Sequence, residues 1–289
     1  MRILVMGLGN IGRELAIRLR ADGHHVIGTT TTPEKVEALS EYVDEVAVLF
    51  GHEADKVATA GKDCDAVVVT VAPDARKSRT PEEREAQYRQ VLVDSCESAA
   101  GATPRVIFAS SFSVYGDGGT GDGDITEETP CSNNEEPSSK YYQLAEQAVL
   151  QGNEGCVLRF PDMYGAEGDM SYPQRVQMCH DYMGGNAIFS ADALLYSIHY
   201  LDVVDAILHA LQHNLTGIYN VCDETHTPHT NREVFDAICR QEGMPMLNFL
   251  DQILAPTRRI SAAKIYATGY RVQHQDPNAA VVQADQASS

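Results

Sequence analysis

Six residues near the amino terminus, Gly7-Leu8-Gly9-Asn10-Ile11-Gly12, carry the most specific chemistry in the sequence. They fit G-x-G-x-x-G, and they sit in the context that pattern requires. Arg2–Met6 before them is a short apolar run of strand type, and Ile11, Leu15, Ile17 and Leu19 after them make an amphipathic helix that stops at Asp22-Gly23. A second strand then begins at Val26. Gly7 allows the tight turn off the strand, Gly9 has no Cβ and lets a pyrophosphate approach the backbone, and Gly12 lets the helix pack closely on the sheet. The helix start at Asn10 and Ile11 offers N–H groups and a partial positive charge to the phosphates. The chemistry expected here is dinucleotide binding; the alternative is a glycine turn in an α/β fold that has lost its ligand.

The same pattern calls for an acidic residue about 20 positions further on, to bond the adenine ribose hydroxyls. That place falls on Thr30, with no acid at the strand end and no Arg beside it. Without a carboxylate nothing repels a 2′-phosphate, and Thr29, Thr30 and Thr31 supply hydroxyls, so NADP is favoured over NAD. The alternative is that Thr29–Thr32 form only a polar strand end and the cap of the helix after Pro33.

These residues need a scaffold, and the chain alternates strand and helix to provide one. Helix is expected over 33–40, strand over 45–49, helix over 53–60, an almost wholly apolar strand over 65–71, a long helix over 81–100, and a fifth strand over 105–109. Repeated βα units of this kind give a doubly wound α/β fold: a parallel sheet covered by helices on both faces, with right-handed crossovers. A Gly-, Asp- and Ser-rich loop spans 116–134. Its Asp117, Asp122 and Asp124 do not match the spacing of a calcium loop, and no metal is expected. Helix follows over 138–150 and strand over 156–160. Beyond Asp162 the pattern loosens, with helix expected over 173–183, strand over 194–199, helix over 203–213, strand over 217–221, and helix over 231–242 capped near Thr230. Residues 1–160 are read as a dinucleotide-binding Rossmann core and 161–272 as a small C-terminal substrate lobe interleaved with it. Residues 273–289, polar and without periodicity, are read as a disordered tail.

The formal charge of −19, from 22 Lys and Arg against 41 Asp and Glu, argues against nucleic acid or an anionic membrane surface as partner. No apolar run approaches the length of a membrane span. The seven cysteines form no C-x-x-C pair and read as reduced thiols. With Met1 opening a core strand almost at once, no signal peptide is expected, and the location is read as cytoplasmic.

Four further segments occur in a telling order. Ser110-Ser111-Phe112-Ser113-Val114-Tyr115-Gly116 follows the fifth strand, and Leu158-Arg159 through Tyr164-Gly165 follows the sixth. Ile198-His199-Tyr200-Leu201-Asp202-Val203-Val204 and Tyr219-Asn220-Val221 come after. Together with the glycine turn they resemble the extended short-chain dehydrogenase/reductase family, which contains sugar-nucleotide epimerases and dehydratases; the resemblance covers roughly residues 1–270.

The resemblance implies that Ser111 bonds a substrate oxygen, the alternative being that it only caps the strand end. It places Ala72, just past the fourth strand, near the cofactor. It also implies a Tyr-x-x-x-Lys pair on the helix after the serine, in which the lysine lowers the tyrosine pKa and grips the nicotinamide ribose. This chain lacks that pair. Aligned through Pro137 and Glu146, the tyrosine position is Ser138 and the lysine position is Tyr142, and no tyrosine in the sequence has Lys four residues later. Tyr142 either reaches the ribose or fills the vacated space. Asp162 is a candidate acid or base, or a loop carboxylate. His199 is read as structural. The Arg258-Arg259 segment either meets substrate phosphates, as in sugar-nucleotide enzymes, or anchors the lobe. The resemblance therefore looks like an atypical member of the family. The first reading is an NAD(P)-binding oxidoreductase, epimerase or dehydratase-like enzyme acting on a small carbonyl/hydroxyl or sugar-nucleotide-like substrate. A redox-neutral isomerase, cyclase or lyase and a non-catalytic nucleotide sensor are the alternatives. The resemblance also implies a homodimer on the helices flanking the fifth strand.

Overall fold

A computed structural model describes residues 1–74 and 77–288. In chain order the elements are β1 (Arg2–Met6), α1 (Asn10–Ala21), β2 (His25–Thr30), α2 (Val36–Leu39), β3 (Glu45–Val48), α3 (Ala54–Ala60), β4 (Ala66–Val69), α4 (Pro81–Tyr88), α5 (Ser95–Ala102), β5 (Val106–Ser111), α6 (Pro137–Leu150), β6 (Cys156–Phe160), β7 (Asp162–Tyr164), α7 (Tyr172–Met183), β8 (Asn186–Phe189), β9 (Ser197–His199), α8 (Tyr200–Gln212), β10 (Gly217–Asn220), α9 (Asn231–Glu242), β11 (Asn248–Ile253), α10 (Ala263–Ala267) and α11 (Pro277–Ser288). They divide into two units. The first is Met1–Val114, Asn133–Phe160 and Val203–Val221, and the second is Tyr115–Ser132, Pro161–Asp202 and Cys222–Ser289.

Among the described residues the first unit holds a seven-stranded sheet in the order β10-β6-β5-β4-β1-β2-β3, with every neighbouring pair parallel. This is the expected Rossmann-type α/β sheet. Its central strands are apolar on both faces because helices cover both: all four residues of β4 and Ile3–Met6 of β1 are fully buried. On one face, Met6, Val69, Phe108 and Val157 pack against Val57, Leu92, Cys96, Ala145 and Val149 of the helices. The strand order reverses between β1 and β4, since β2 and β3 extend one side and β4 and β5 the other. The crevice at the carboxyl ends of β1 and β4 is thus the switch point where doubly wound sheets take their ligands.

The helix expected over 81–100 is broken into α4 and α5 by a π-helical turn at Arg89–Asp94. The wider turn carries the adjacent pair Leu92 and Val93, both buried in the core.

The second unit carries two small parallel ribbons, β7 with β9 and β8 with β11, and a core in which α7 and α9 pack through Val176, Val234 and Ile238. Here the expected tail is corrected. Residues 277–288 form α11, which packs on α9 with Val282 buried, and Arg240 grips Asp285 through Nε and Nη2 at 2.9 and 2.6 Å. The inward positions Asn278, Val282 and Asp285 do repeat with helical spacing, but two of the three are polar, so no apolar stripe marks the helix. Among the described residues no helix is long and apolar enough to cross a membrane, and no group of three or more His, Cys, Asp or Glu could hold a metal ion.

Candidate active site

The glycine turn is pinned from both sides. Gly7 takes φ +99°, a conformation that strains any side chain. Its N–H donates to Thr29 Oγ1 at 3.0 Å, and the Leu8 N–H donates to the Thr29 carbonyl at 3.2 Å. From β4, Thr70 Oγ1 donates to the carbonyl of Gly7 at 2.9 Å. Thr29 is therefore a buried brace of the turn rather than a ribose contact, because strand alternation turns its side chain inward. Thr30 is half-buried and accepts the Thr32 N–H at 3.2 Å, whereas Thr31 and Ala72 are exposed.

Gly9 is the N-cap of α1. No side chain caps this helix start, and no acidic residue lies in its first turn. A Cβ on Gly9 would meet no heavy atom within 4 Å, while one on Gly12 would lie 1.9 Å from the Gly7 carbonyl oxygen. The first glycine leaves an open approach and the second a closed contact, the arrangement a pyrophosphate on a helix N-terminus requires. One side chain that sequence reasoning overlooked belongs here: Arg13 donates to Asn10 Oδ1 at 2.8 Å and lies 5.8 Å from the Tyr42 ring centre. The signal was its place one residue after Gly12.

At the end of β5 the two serines face opposite ways. Ser110 is buried and donates to Glu146 Oε1 at 2.6 Å, and the same carboxylate takes Arg159 Nε and Nη2 at 2.9 and 2.6 Å. Ser111 is half-exposed, and its Oγ accepts the Ser113 N–H at 3.1 Å. Helix α6 carries Ser138, Lys140, Tyr141 and Tyr142. Ser138 is held by Ser113 Oγ, which donates to its carbonyl at 2.7 Å. Tyr142 is half-buried with its ring stacked on Phe108 at 6.1 Å, and burial pushes its hydroxyl pKa up. Lys140 and Tyr141 turn instead to α4, where both bond Glu85, at 3.3 and 2.7 Å.

In the second unit, Asp162 accepts the Tyr172 hydroxyl at 2.8 Å and pairs with Arg175 at 2.5 Å. Arg259 pairs with Asp124 at 2.5 Å and Glu224 at 2.7 Å, and Arg258 donates to the carbonyls of Gly118 and Gly123. These arginines hold the 116–134 loop. Asp202 is fully buried and accepts the N–H groups of Gln273 and His274 at 2.9 and 3.0 Å, together with His274 Nδ1 at 3.0 Å.

His199 stacks on His274 with ring centres 3.9 Å apart, and burial followed by the neighbouring His274 lowers its pKa below 6.5. The unfolded chain therefore takes up this proton first. The stabilisation from a neutral His199 is complete above pH 6.5 and is lost as pH falls from there through the folded value. His199→Phe is expected to shrink the drop in thermal midpoint between about pH 7.5 and about pH 5.5. An unchanged drop would assign the acid sensitivity to other groups.

The description "NAD dependent epimerase/dehydratase family" belongs to the family model that matches residues 3–222. Protein YeeZ of Escherichia coli (strain K12) is 32% identical over 233 residues, 78% of each chain. Among solved structures, a short-chain dehydrogenase/reductase superfamily protein from Agrobacterium tumefaciens with bound NAD superposes with a TM-score of 0.71 at 20% identity, covering 100% of this chain and 97% of that one. The dTDP-glucose 4,6-dehydratase DesIV from Streptomyces venezuelae, also with NAD, gives 0.73 at 19% identity, covering 99% and 97%.

Proposed function

The chain belongs to the NAD-dependent epimerase/dehydratase family, and from that premise we propose that it binds NADP at the glycine turn and reduces or oxidises a small carbonyl or hydroxyl compound. The observation that carries the reading is the start of α1, with no capping side chain, no acid in its first turn, and open space where a Gly9 Cβ would be. Backbone at Gly9, Asn10 and Ile11 would hold the pyrophosphate, and Thr30 and Thr31 the adenosine ribose. The absence of a carboxylate after β2 supports the 2′-phosphate, and Arg13 adds a cation one turn into the helix. A dinucleotide bound there supplies hydride chemistry.

In this reading Ser111 orients the substrate. Its Oγ accepts the Ser113 N–H, which leaves the hydroxyl proton available to a substrate oxygen. With Ser138 and Tyr142 in place of the tyrosine and lysine, no side chain on α6 supplies the proton, and it comes from water. Asp162, bonded to Tyr172 and Arg175, keeps a structural role. The engagement of Arg258 and Arg259 within their own unit supports a substrate without a diphosphate, and so weighs against a sugar nucleotide. A cytoplasmic homodimer on the helices flanking β5 completes the reading.

Calorimetric titration tests it, followed by NADPH oxidation assays over small aldehydes and ketones. NADPH is expected to bind about tenfold or more tighter than NADH. Ser111→Ala is expected to lower kcat/KM by about tenfold to a hundredfold while leaving NADPH affinity unchanged. Binding of neither dinucleotide would remove the basis of the reading, and binding without oxidation by any carbonyl compound would remove its catalytic half.

A further inference from the structure

The C-terminal helix α11 lies beyond residue 222, where the family match ends. Asp276 fixes its first turn. Oδ1 of that carboxylate accepts the Asn278 N–H at 2.9 Å, as an N-cap does, and takes the Ser197 hydroxyl of β9 at 3.4 Å.

The other oxygen of Asp276 is buried, and His226 Nε2, also buried, lies 3.7 Å from it. Among the described residues neither atom has a hydrogen-bond partner, and with almost no surface open to solvent neither is served by bulk water. On its other side the imidazole meets a second carboxylate, with Nδ1 3.3 Å from Asp223 Oδ2. The remaining titratable groups around the contact are His229, which stands 3.6 Å from Glu233 at the start of α9, and the Tyr164 hydroxyl of β7, which donates to the Gln275 carbonyl at 2.9 Å.

An imidazole between two carboxylates has one form that suits both. The Nδ1–H tautomer donates to Asp223 and turns a lone pair toward Asp276, and the Nε2–H tautomer does the reverse. Either leaves one carboxylate facing a lone pair. Only the imidazolium, with a proton on each nitrogen, presents a donor to both. At 3.7 Å the Asp276 contact is an ion pair rather than a hydrogen bond, so it depends on that positive charge. Burial raises the Asp276 carboxyl above its ordinary value, so this side of the contact also favours holding a proton.

We propose that His226 is a proton-operated clasp on α11: as the imidazolium it ties Asp276 to the 222–230 loop and holds the first turn of the helix, and on losing its proton it lets that turn loosen. The sign follows from the proton. Docking of α11 is strongest while the pair holds it, and weakens as pH rises through the range in which an imidazole changes charge. That sign is opposite to the one at His199, whose neutral form stabilises the fold. The proposal is independent of dinucleotide binding, which concerns the glycine turn of the first unit.

Hydrogen exchange of the α11 amides in the full chain tests it, with each rate divided by its intrinsic rate at the same pH and compared with α9. Protection over residues 278–281 is expected to fall about threefold or more between about pH 6 and about pH 8, in step with the His226 ring nitrogen signals followed by NMR. Asp276→Asn keeps an N-cap and brings an amide donor that serves the neutral ring, so it is expected to remove the pH dependence while α11 stays docked. His226→Gln supplies an uncharged donor and is expected to do the same. Either variant decides the matter should the other fail to fold. Equal protection at the two pH values in the wild type, or the wild-type fall retained in a folded variant, would overturn the proposal.

Discussion

Replacing Glu146 by Leu should lower the unfolding free energy by about 3–5 kcal/mol, among the largest losses any single substitution produces in this chain. The Glu146 carboxylate is 3% exposed and Arg159 2% exposed, so their contact is made almost without water. Two guanidinium N–H groups and the Ser110 hydroxyl donate to that carboxylate, joining α6, β6 and β5 at one point. The pair itself adds little net stability, since desolvating two ions offsets most of their attraction. The large effect arises because leucine leaves a buried guanidinium and a buried hydroxyl without this acceptor. Two comparisons separate that cause from simple loss of packing. Arg159→Met together with Glu146→Leu should recover a large part of the loss, because the uncompensated charge is gone. Glu146→Gln should fall between, keeping the shape and part of the bonding. Urea unfolding of the four proteins gives the coupling directly. Were the double variant as unstable as Glu146→Leu alone, stranded charge would not be the cause.

The position of this network also bears on the site. Ser110 and Ser111 are neighbours on β5 and face opposite ways, so the bond that locks Ser110 inward fixes the direction of Ser111. A strand end held by a buried carboxylate can present a hydroxyl without a tyrosine–lysine pair beside it. Glu146 thus holds the strand end, while Ser138 and Tyr142 on the same helix make other contacts.

Local signals were legible in the sequence and long-range ones were not. The glycine turn, the parallel sheet and the helix over 231–242 follow from neighbouring residues. That helix is closed by a reciprocal bond between Thr230 and Glu233, and both partners lie within one turn. The ribbons β7 with β9 and β8 with β11 are three to six residues long and pair across distant segments, so no periodicity announces them. The role of Thr29 was misread because hydroxyl content says nothing about which face of β2 it takes. The ring contact of Tyr142 with Phe108 joins a helix to a strand more than thirty residues away, and no local spacing announces it.

The glycine turn allows stability and ligand binding to be separated with two single-methyl substitutions. Gly9→Ala should cost about 1 kcal/mol or less, the difference between glycine and alanine at an N-cap, since its φ of −75° suits alanine and the new methyl meets no heavy atom within 4 Å. It should nonetheless weaken dinucleotide binding by about a hundredfold or more, because the methyl occupies the approach of the pyrophosphate. Gly12→Ala should behave differently. Alanine gains about 1 kcal/mol in helix propensity, but its Cβ would lie 1.9 Å from the Gly7 oxygen and 2.9 Å from the Gly7 carbonyl carbon. Those are backbone atoms of a turn held by Thr29 and Thr70, so they cannot yield as a flexible side chain would. The clash outweighs the propensity gain, and about 3 kcal/mol or more of stability should be lost together with binding. Thermal unfolding and calorimetric titration of both variants check the contrast. A Gly9→Ala protein that folds and binds NADPH as tightly as the wild type would place the pyrophosphate elsewhere and undo the proposed use of α1. If instead it loses binding while still stably folded, the open space over Gly9 is the part of the turn that the ligand occupies.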